Sequence, residues 1–335
     1  VAPPTADALG AAWRLALAAA HDALAASSGC PTPTLGDAEL RARTRRLAQE
    51  RDEVEALLEA EARLRHVSLV RRLTLPTATR AELGLPRDVD ACLFDLDGVL
   101  AASADAHLAA WAETFDALLA RRLAAASVHL CHYARFSRRA DYDDHVAGKP
   151  RLEGARAFLA SRGIALPDGR PDDPPGAETV HGFANGKNAA LRRRLAHEGV
   201  AAYAGARRYL DAAAAAGLPC AVVSPSANTG AILERAGLAD LVDVVVDGRT
   251  MAELGLRAKP AADALVAACE RLGVATEHAA AFETTAAGIA AARAAAIRLV
   301  VLVTRDGAAP AAGSTPDLAV GDLAELLRPR LRRAA

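Results

Sequence analysis

Val89-Asp90-Ala91-Cys92-Leu93-Phe94-Asp95-Leu96-Asp97-Gly98-Val99-Leu100 is the stretch from which the fold of this chain is read. A short apolar run ends in two carboxylates two positions apart, followed by a glycine. Ligands of open α/β sheets gather beyond the carboxyl ends of strands, so Asp95 and Asp97 share one crevice if this run is a strand. Taken alone, the same string also fits an acidic turn closed by Gly98. The remainder of the chain favours the strand: further apolar runs, PCAVVS at 219, LVDVVVD at 241, HAAAFE at 278, RLVVLV at 298 and DLAV at 317, are separated by alanine-rich helical stretches. Continuous apolar runs alternating with helices predict the α/β class, a doubly wound parallel sheet covered on both faces.

More than a hundred residues of helical composition separate the first run from the second, which predicts an inserted helical domain. The expected division is a core of residues 89–112 and 201–335, an insertion over 113–200, and an N-terminal helical region over 1–88. That first region has proline-rich joints and no strand pattern. Its Leu40, Leu47, Val54, Leu57, Leu58 and Leu64 recur at amphipathic helical spacing, a face suited to self-association or a partner.

Composition narrows the function. The hydrophobic share of 52% rests largely on alanine, charged residues make up 24%, and no uncharged apolar run of spanning length exists, so no membrane span is expected. Forty basic against forty-one acidic residues, a net charge of −1, give no broad footprint for nucleic acid. Five scattered cysteines without C-x-x-C spacing point to a reducing, cytoplasmic setting, with Cys92 and Cys220 in the core. The basic residues are arginines apart from Lys149, Lys187 and Lys259. Against that background each lysine marks a place where a compact ammonium is suited.

Three more pieces occur at later strand ends. Ser224-Pro225-Ser226-Ala227-Asn228 opens a helix, where a hydroxyl and backbone N–H groups suit phosphoryl oxygens or a plain N-cap. Arg257-Ala258-Lys259-Pro260 places a cation before a helix, and Glu283 ends a strand with an oxygen ligand suited to a hard cation.

In this order the four pieces resemble the haloacid dehalogenase superfamily of phosphoryl-transfer enzymes over roughly residues 89–330, and within it the β-phosphoglucomutase-like branch. FDLDGVLAASADAHLAAW, beginning at Phe94, carries His107 and Trp111 where that branch has them and Ser103 where it has threonine. GKPR at 148–151 and NGKN at 185–188 look like its two cap stretches. The resemblance implies a Rossmann-like core with a cap, Asp95 as nucleophile, Asp97 as general acid/base, and Lys259 and Ser224 at the transferring group. It implies Ser103, His107, Arg151, Lys187, Ser226 and Asn228 at the substrate, and Mg²⁺ held by Asp95, the Asp97 carbonyl and Glu283. The implied substrate is a small phosphorylated sugar, with interconversion of β-glucose 1-phosphate and glucose 6-phosphate as the activity. Two positions depart from the pattern: Thr284 stands where the family has an aspartate, and Ala147 where the branch has a lysine. The first departure keeps two alternatives open, a sugar-phosphate phosphatase and a weakly active binding protein of the same fold.

Overall fold

The computed structural model describes residues 78–125, 134–305 and 315–327. The expected helices before residue 78 lie outside the described residues. From Ala78 the chain turns into β1 (Ala91–Phe94) and then leaves the sheet for α1 (Ala104–Ala125), a π-helix (Arg138–Val146), α2 (Arg151–Ser161) and α3 (Val180–Glu198). It returns through α4 (Ala204–Ala215), β2 (Cys220–Val223), α5 (Thr229–Arg235), β3 (Val244–Val246), α6 (Gly248–Leu254) and α7 (Asp263–Leu272). The last elements are β4 (Ala279–Glu283), α8 (Ala286–Ala294), β5 (Leu299–Val303) and β6 (Leu318–Val320).

All six strands pair in parallel in the order β3-β2-β1-β4-β5-β6, with Phe94 beside both Val222 and Phe282. The expected doubly wound sheet is therefore present, and each of its strands falls within one of the apolar runs. Because side chains alternate faces along a strand, Cys92, Phe94, Val222, Phe282 and Val301 join one core with Tyr209 and Leu210 of α4. Leu93, Val223, Ala281 and Val300 join the other, with Leu265 and Cys269 of α7 and Ile289 of α8. On the first face the rings of Phe94 and Phe282 stack at 4.6 Å, and Tyr209 meets both edge-on. The Tyr209 hydroxyl donates to the Leu83 carbonyl at 3.0 Å, so no polar atom is stranded there. Cys92 and Cys220 are fully buried, as expected of core residues.

The inserted helices have their own core, in which Trp111 and Phe115 of α1 stack at 4.9 Å and Phe115 meets Phe183 of α3 at 4.8 Å. The solvent-facing Arg193 and the half-buried Arg194 both reach Glu113 of α1, at 2.6 and 3.2 Å. The two crossings between sheet and insertion run side by side: Ala102 N donates to Ala201 O at 2.9 Å and Tyr203 N to Leu100 O at 3.0 Å. No described helix is long and apolar enough to cross a membrane.

Removing one ring of the Phe94–Phe282–Tyr209 cluster leaves a cavity that rigid neighbouring strands cannot close. Phe282→Ala is expected to lower unfolding free energy by about 3–5 kcal/mol. Urea denaturation checks this: the midpoint should fall while the slope is kept, whereas a change below about 1 kcal/mol would mean the site collapses freely.

Candidate functional site

The carboxyl ends of β1, β2 and β4 face a cleft of about 680 Å³, whose far wall is made by the inserted helices. Asp95 and Asp97 lie on the turn after β1, a turn tightened by Gly98 at φ 84° and by the bond from Gly98 N to Ala101 O at 3.0 Å. A side chain at position 98 would strain that left-handed backbone and press its Cβ to 3.1 Å from Thr284 Cγ2.

Lys259 lies behind the floor. Its ammonium is 2.8 Å from Glu283 Oε2, 3.3 Å from Asp95 Oδ1 and 3.3 Å from the Val223 carbonyl. Burial alone would discharge it, but the two carboxylates more than reverse this and raise its pKa. Burial likewise raises Asp95, against the pull of Lys259 and with help from Asp97. It raises Glu283 to about 7, again against Lys259 and with help from Asp95.

Asp97 turns the other way. Its Oδ1 accepts a short hydrogen bond from Ser103 Oγ, and His107 Nε2 stands 3.9 Å from the same oxygen. Burial raises the Asp97 pKa, opposed by the Ser103 bond and by Lys187. A carboxyl whose hold on a proton is strengthened in this way suits a group that gives and takes protons.

Lys187 of α3 enters from the opposite wall, only 4% exposed, with its Nζ 3.0 Å from His107 Nδ1 and 5.1 Å above the Trp111 ring. Burial lowers its pKa to about 7, Asp97 opposing and Arg151 assisting. Burial and Lys187 together hold His107 well below the usual imidazole value. A neutral ring that accepts at Nδ1 must carry its proton on Nε2, the atom facing Asp97. Asn188, next along α3, accepts from Asn228 Nδ2 at 2.9 Å and ties the insertion to the loop after β2.

The structure thus groups Asp97, Ser103, His107 and Lys187: Ser103 bonds to Asp97 and Lys187 to His107, while His107 Nε2, buried without a hydrogen-bond partner, faces Asp97 Oδ1 across 3.9 Å; Arg151, Ser226 and Asn228 lie on the cleft surface. Ser224 does not line the cleft; it is fully buried, and its hydroxyl accepts from Ser226 N at 3.2 Å. Glu283, expected among metal ligands, gives Oε2 to Lys259 and is wedged against α8, where a Cβ on Gly288 would lie 2.0 Å from that oxygen. No group of three His, Cys, Asp or Glu suited to a metal forms among the described residues. Oxygens do converge elsewhere: Thr284 Oγ1 is 3.2 Å from Asp95 Oδ2 and 3.4 Å from the Asp97 carbonyl. Both separations are close to the oxygen–oxygen spacing of about 2.9 Å around Mg²⁺, so this donor set suits a hard cation. It supplies one carboxylate charge. The Thr285 hydroxyl is committed elsewhere, capping α8 by accepting from Gly288 N at 3.0 Å.

Lys149 of the GKPR stretch lines the cleft too, as do Tyr142, Tyr203 and Arg305, to which no sequence motif assigns roles. Arg305 comes just after the end of β5, a position where the strand-end rule was sufficient to flag it. Tyr142 belongs to a π-helix, which periodicity does not reveal.

Residues 89–296 match the family model of haloacid dehalogenase-like hydrolases. The chain belongs to that family, and it is a phosphoryl-transfer enzyme. It is 46% identical over 260 residues to a β-phosphoglucomutase of Mycobacterium bovis, covering 76% of this chain and 98% of that protein. Among solved structures it is similar to CbbY from Rhodobacter sphaeroides in complex with phosphate, with TM-score 0.53 and 25% identity over 71% of this chain and 96% of that one. A β-phosphoglucomutase from Clostridium difficile shares the fold at TM-score 0.54 and 19% identity, over 71% of this chain and 93% of that one.

The buried Lys187 carries a stability cost with a definite pH dependence. Below about pH 7 it is charged both folded and unfolded, and the burial penalty is full. Between pH 7 and the ordinary lysine value the unfolded chain binds more protons, so this contribution to stability rises with pH. Lys187→Met should therefore raise Tm by about 5 °C at pH 6, with the gain shrinking towards pH 10. A loss of Tm at pH 6, read by calorimetry, would refute this.

Proposed function

We propose that this enzyme interconverts β-glucose 1-phosphate and glucose 6-phosphate through a bisphosphate, with the helices of residues 113–200 acting as the cap over a cytoplasmic sugar-phosphate site. In this reading phospho-Asp95 passes its phosphoryl group to the sugar 6-hydroxyl while Asp97 takes that hydroxyl's proton. After the bisphosphate turns round, the Asp95 carboxylate attacks the other phosphorus, the bond from phosphorus to the anomeric oxygen breaks, and Asp97 returns the proton to that oxygen. Lys259 balances the negative charge that gathers at Asp95. Asp95, the Asp97 carbonyl and the Thr284 hydroxyl would hold Mg²⁺, which would supply further charge neutralisation at the transferring group. Arg151, lining the cleft on the insertion side, suits the phosphate that is held and not transferred.

The observation that carries the reading is that Asp97, on the turn after β1, faces the buried His107–Lys187 pair of the insertion. A proton-handling carboxyl faced at 3.9 Å by a buried His–Lys pair from the opposite wall suits transfer to a bound sugar hydroxyl with water kept out, which simple hydrolysis does not require. The 46% identity to a β-phosphoglucomutase supports the same reading. Incubation with Mg²⁺, β-glucose 1-phosphate and a trace of the bisphosphate should yield glucose 6-phosphate, and Asp95→Asn should abolish it. Inorganic phosphate as the sole product would overturn the mutase reading in favour of a phosphatase. No turnover at millimolar Mg²⁺ would favour a binding protein.

A neutral hydroxyl in place of a carboxylate weakens the attraction for a dication in a partly desolvated site. Thr284→Asp is expected to lower the Mg²⁺ concentration for half activity by about tenfold, by comparison with losses at metal-supporting positions. Calorimetric Mg²⁺ titration gives the same comparison without turnover. Tight binding by the wild type, or no gain in the variant, would mean that another group fills the position.

A further inference from the structure

Arg305 has more directed contacts than a cleft-lining surface arginine requires. Its Nε donates to the Gly98 carbonyl at 2.7 Å and its Nη2 to the Val99 carbonyl at 2.6 Å. Nη1 forms a short ion pair with Asp322 and lies 3.4 Å from the Gly321 carbonyl. The guanidinium Cζ lies over the Tyr203 ring, 3.6 Å from its centre. Asp322 is itself fixed, because its other oxygen caps the turn at Ala324 and a Cβ on Gly205 would overlap it.

The two gripped carbonyls come directly after Asp97, and Tyr203 sits where the chain re-enters the core. Arg305 therefore holds both crossings between sheet and insertion from one side. The Asp97 carboxyl is reached from the other side by Ser103 and His107, which lie on the outgoing crossing and on α1. A lysine cannot reproduce this contact set, since it lacks both the rigid fork and the flat face.

We propose that Arg305 is a positioning residue for Asp97, fixing the loop 98–99 and Tyr203 so that the acid/base carboxyl meets the sugar oxygen in register. This rests on the reading of Asp97 as the proton donor. Its signature is leaving-group dependence. An aryl phosphate expels a phenolate that needs little help from an acid, whereas a sugar or alkyl phosphate expels an alkoxide that must be protonated as the bond to phosphorus breaks. A displaced Asp97 thus harms the second class more.

The test compares kcat/KM for p-nitrophenyl phosphate and for β-glucose 1-phosphate or a simple alkyl phosphate in wild type, Arg305→Ala and Arg305→Lys. Both variants should lower the alkyl-to-aryl ratio by about tenfold or more, the scale expected from a displacement of under an ångström. Guanidinium ion, at concentrations too low to denature, should partly restore the ratio in Arg305→Ala. Arg305→Lys, which keeps the charge and the aliphatic stem, serves if the alanine variant does not fold. Equal losses on both substrates, as from general loosening, would overturn the proposal, as would an unchanged ratio. If the wild type acts on alkyl phosphates but gives no glucose 6-phosphate, the mutase reading fails while the ratio still tests Arg305. If Asp97→Asn does not itself depress the ratio, the acid/base reading on which the proposal stands is wrong.

Discussion

Two carboxylates at the ends of neighbouring strands repel each other in a dry place, and the site exists because Lys259 cancels that repulsion. The parallel register sets Phe94 beside Phe282, so the next residue on each strand, Asp95 and Glu283, emerge side by side. Both are almost wholly buried. The ammonium has three N–H bonds and three acceptors, Asp95, Glu283 and the Val223 carbonyl, the last from the strand on the other side of β1. One tetrahedral cation thereby spaces the ends of β2, β1 and β4. Removing a partner from such a set strands a buried charge, which costs several kcal/mol, whereas the intact set contributes much less net stability. Its value lies in geometry: Asp95 is held with one oxygen on the cation and the other turned towards Thr284.

Lys187 shows the opposite case. It is buried among Trp111, His107 and the cleft wall with no carboxylate in direct contact, and its ammonium is destabilised accordingly. Two lysines of similar burial thus have pKa values moved in opposite directions: two carboxylates in contact overcome burial at Lys259, whereas burial prevails over the more distant Asp97 at Lys187. Local departures from the most stable arrangement gather at functional sites, and both lysines act electrostatically on Asp97, the proposed acid/base carboxyl.

Most of the framework was legible in the sequence because a parallel sheet buried on both faces writes itself as uninterrupted apolar runs, and each of the six runs became a strand. The D-x-D-G turn was equally legible, since a strand end followed by glycine has few other solutions. What escaped depended on contacts between distant segments. Glu283 was readable as a carboxylate at a strand end, but the direction of its Oε2 was set by Lys259 and by the bare Cα of Gly288. Thr284 and Thr285 were indistinguishable as neighbouring hydroxyls until the helix start claimed one of them. Ser224 looked like an open hydroxyl and proved to be enclosed by its own turn. Arg305 sits more than two hundred residues from the loop it grips, and no local pattern records that distance.

The scarcity of lysine has a consequence for a protein that meets reducing sugars. Open-chain aldoses condense with unprotonated primary amines to form Schiff bases, and guanidinium groups, which remain protonated, are poor partners in that first step. Of the three lysines in this chain, Lys259 is locked in its ion cluster and Lys187 is 4% exposed. Lys149 directs its ammonium to the His145 carbonyl at 2.8 Å. A surface whose positive charge is carried almost wholly by arginine offers aldehydes few lysine side chains to attack, so in the proposed role glycation would be confined to the cleft, where Lys149 and Lys187 lie.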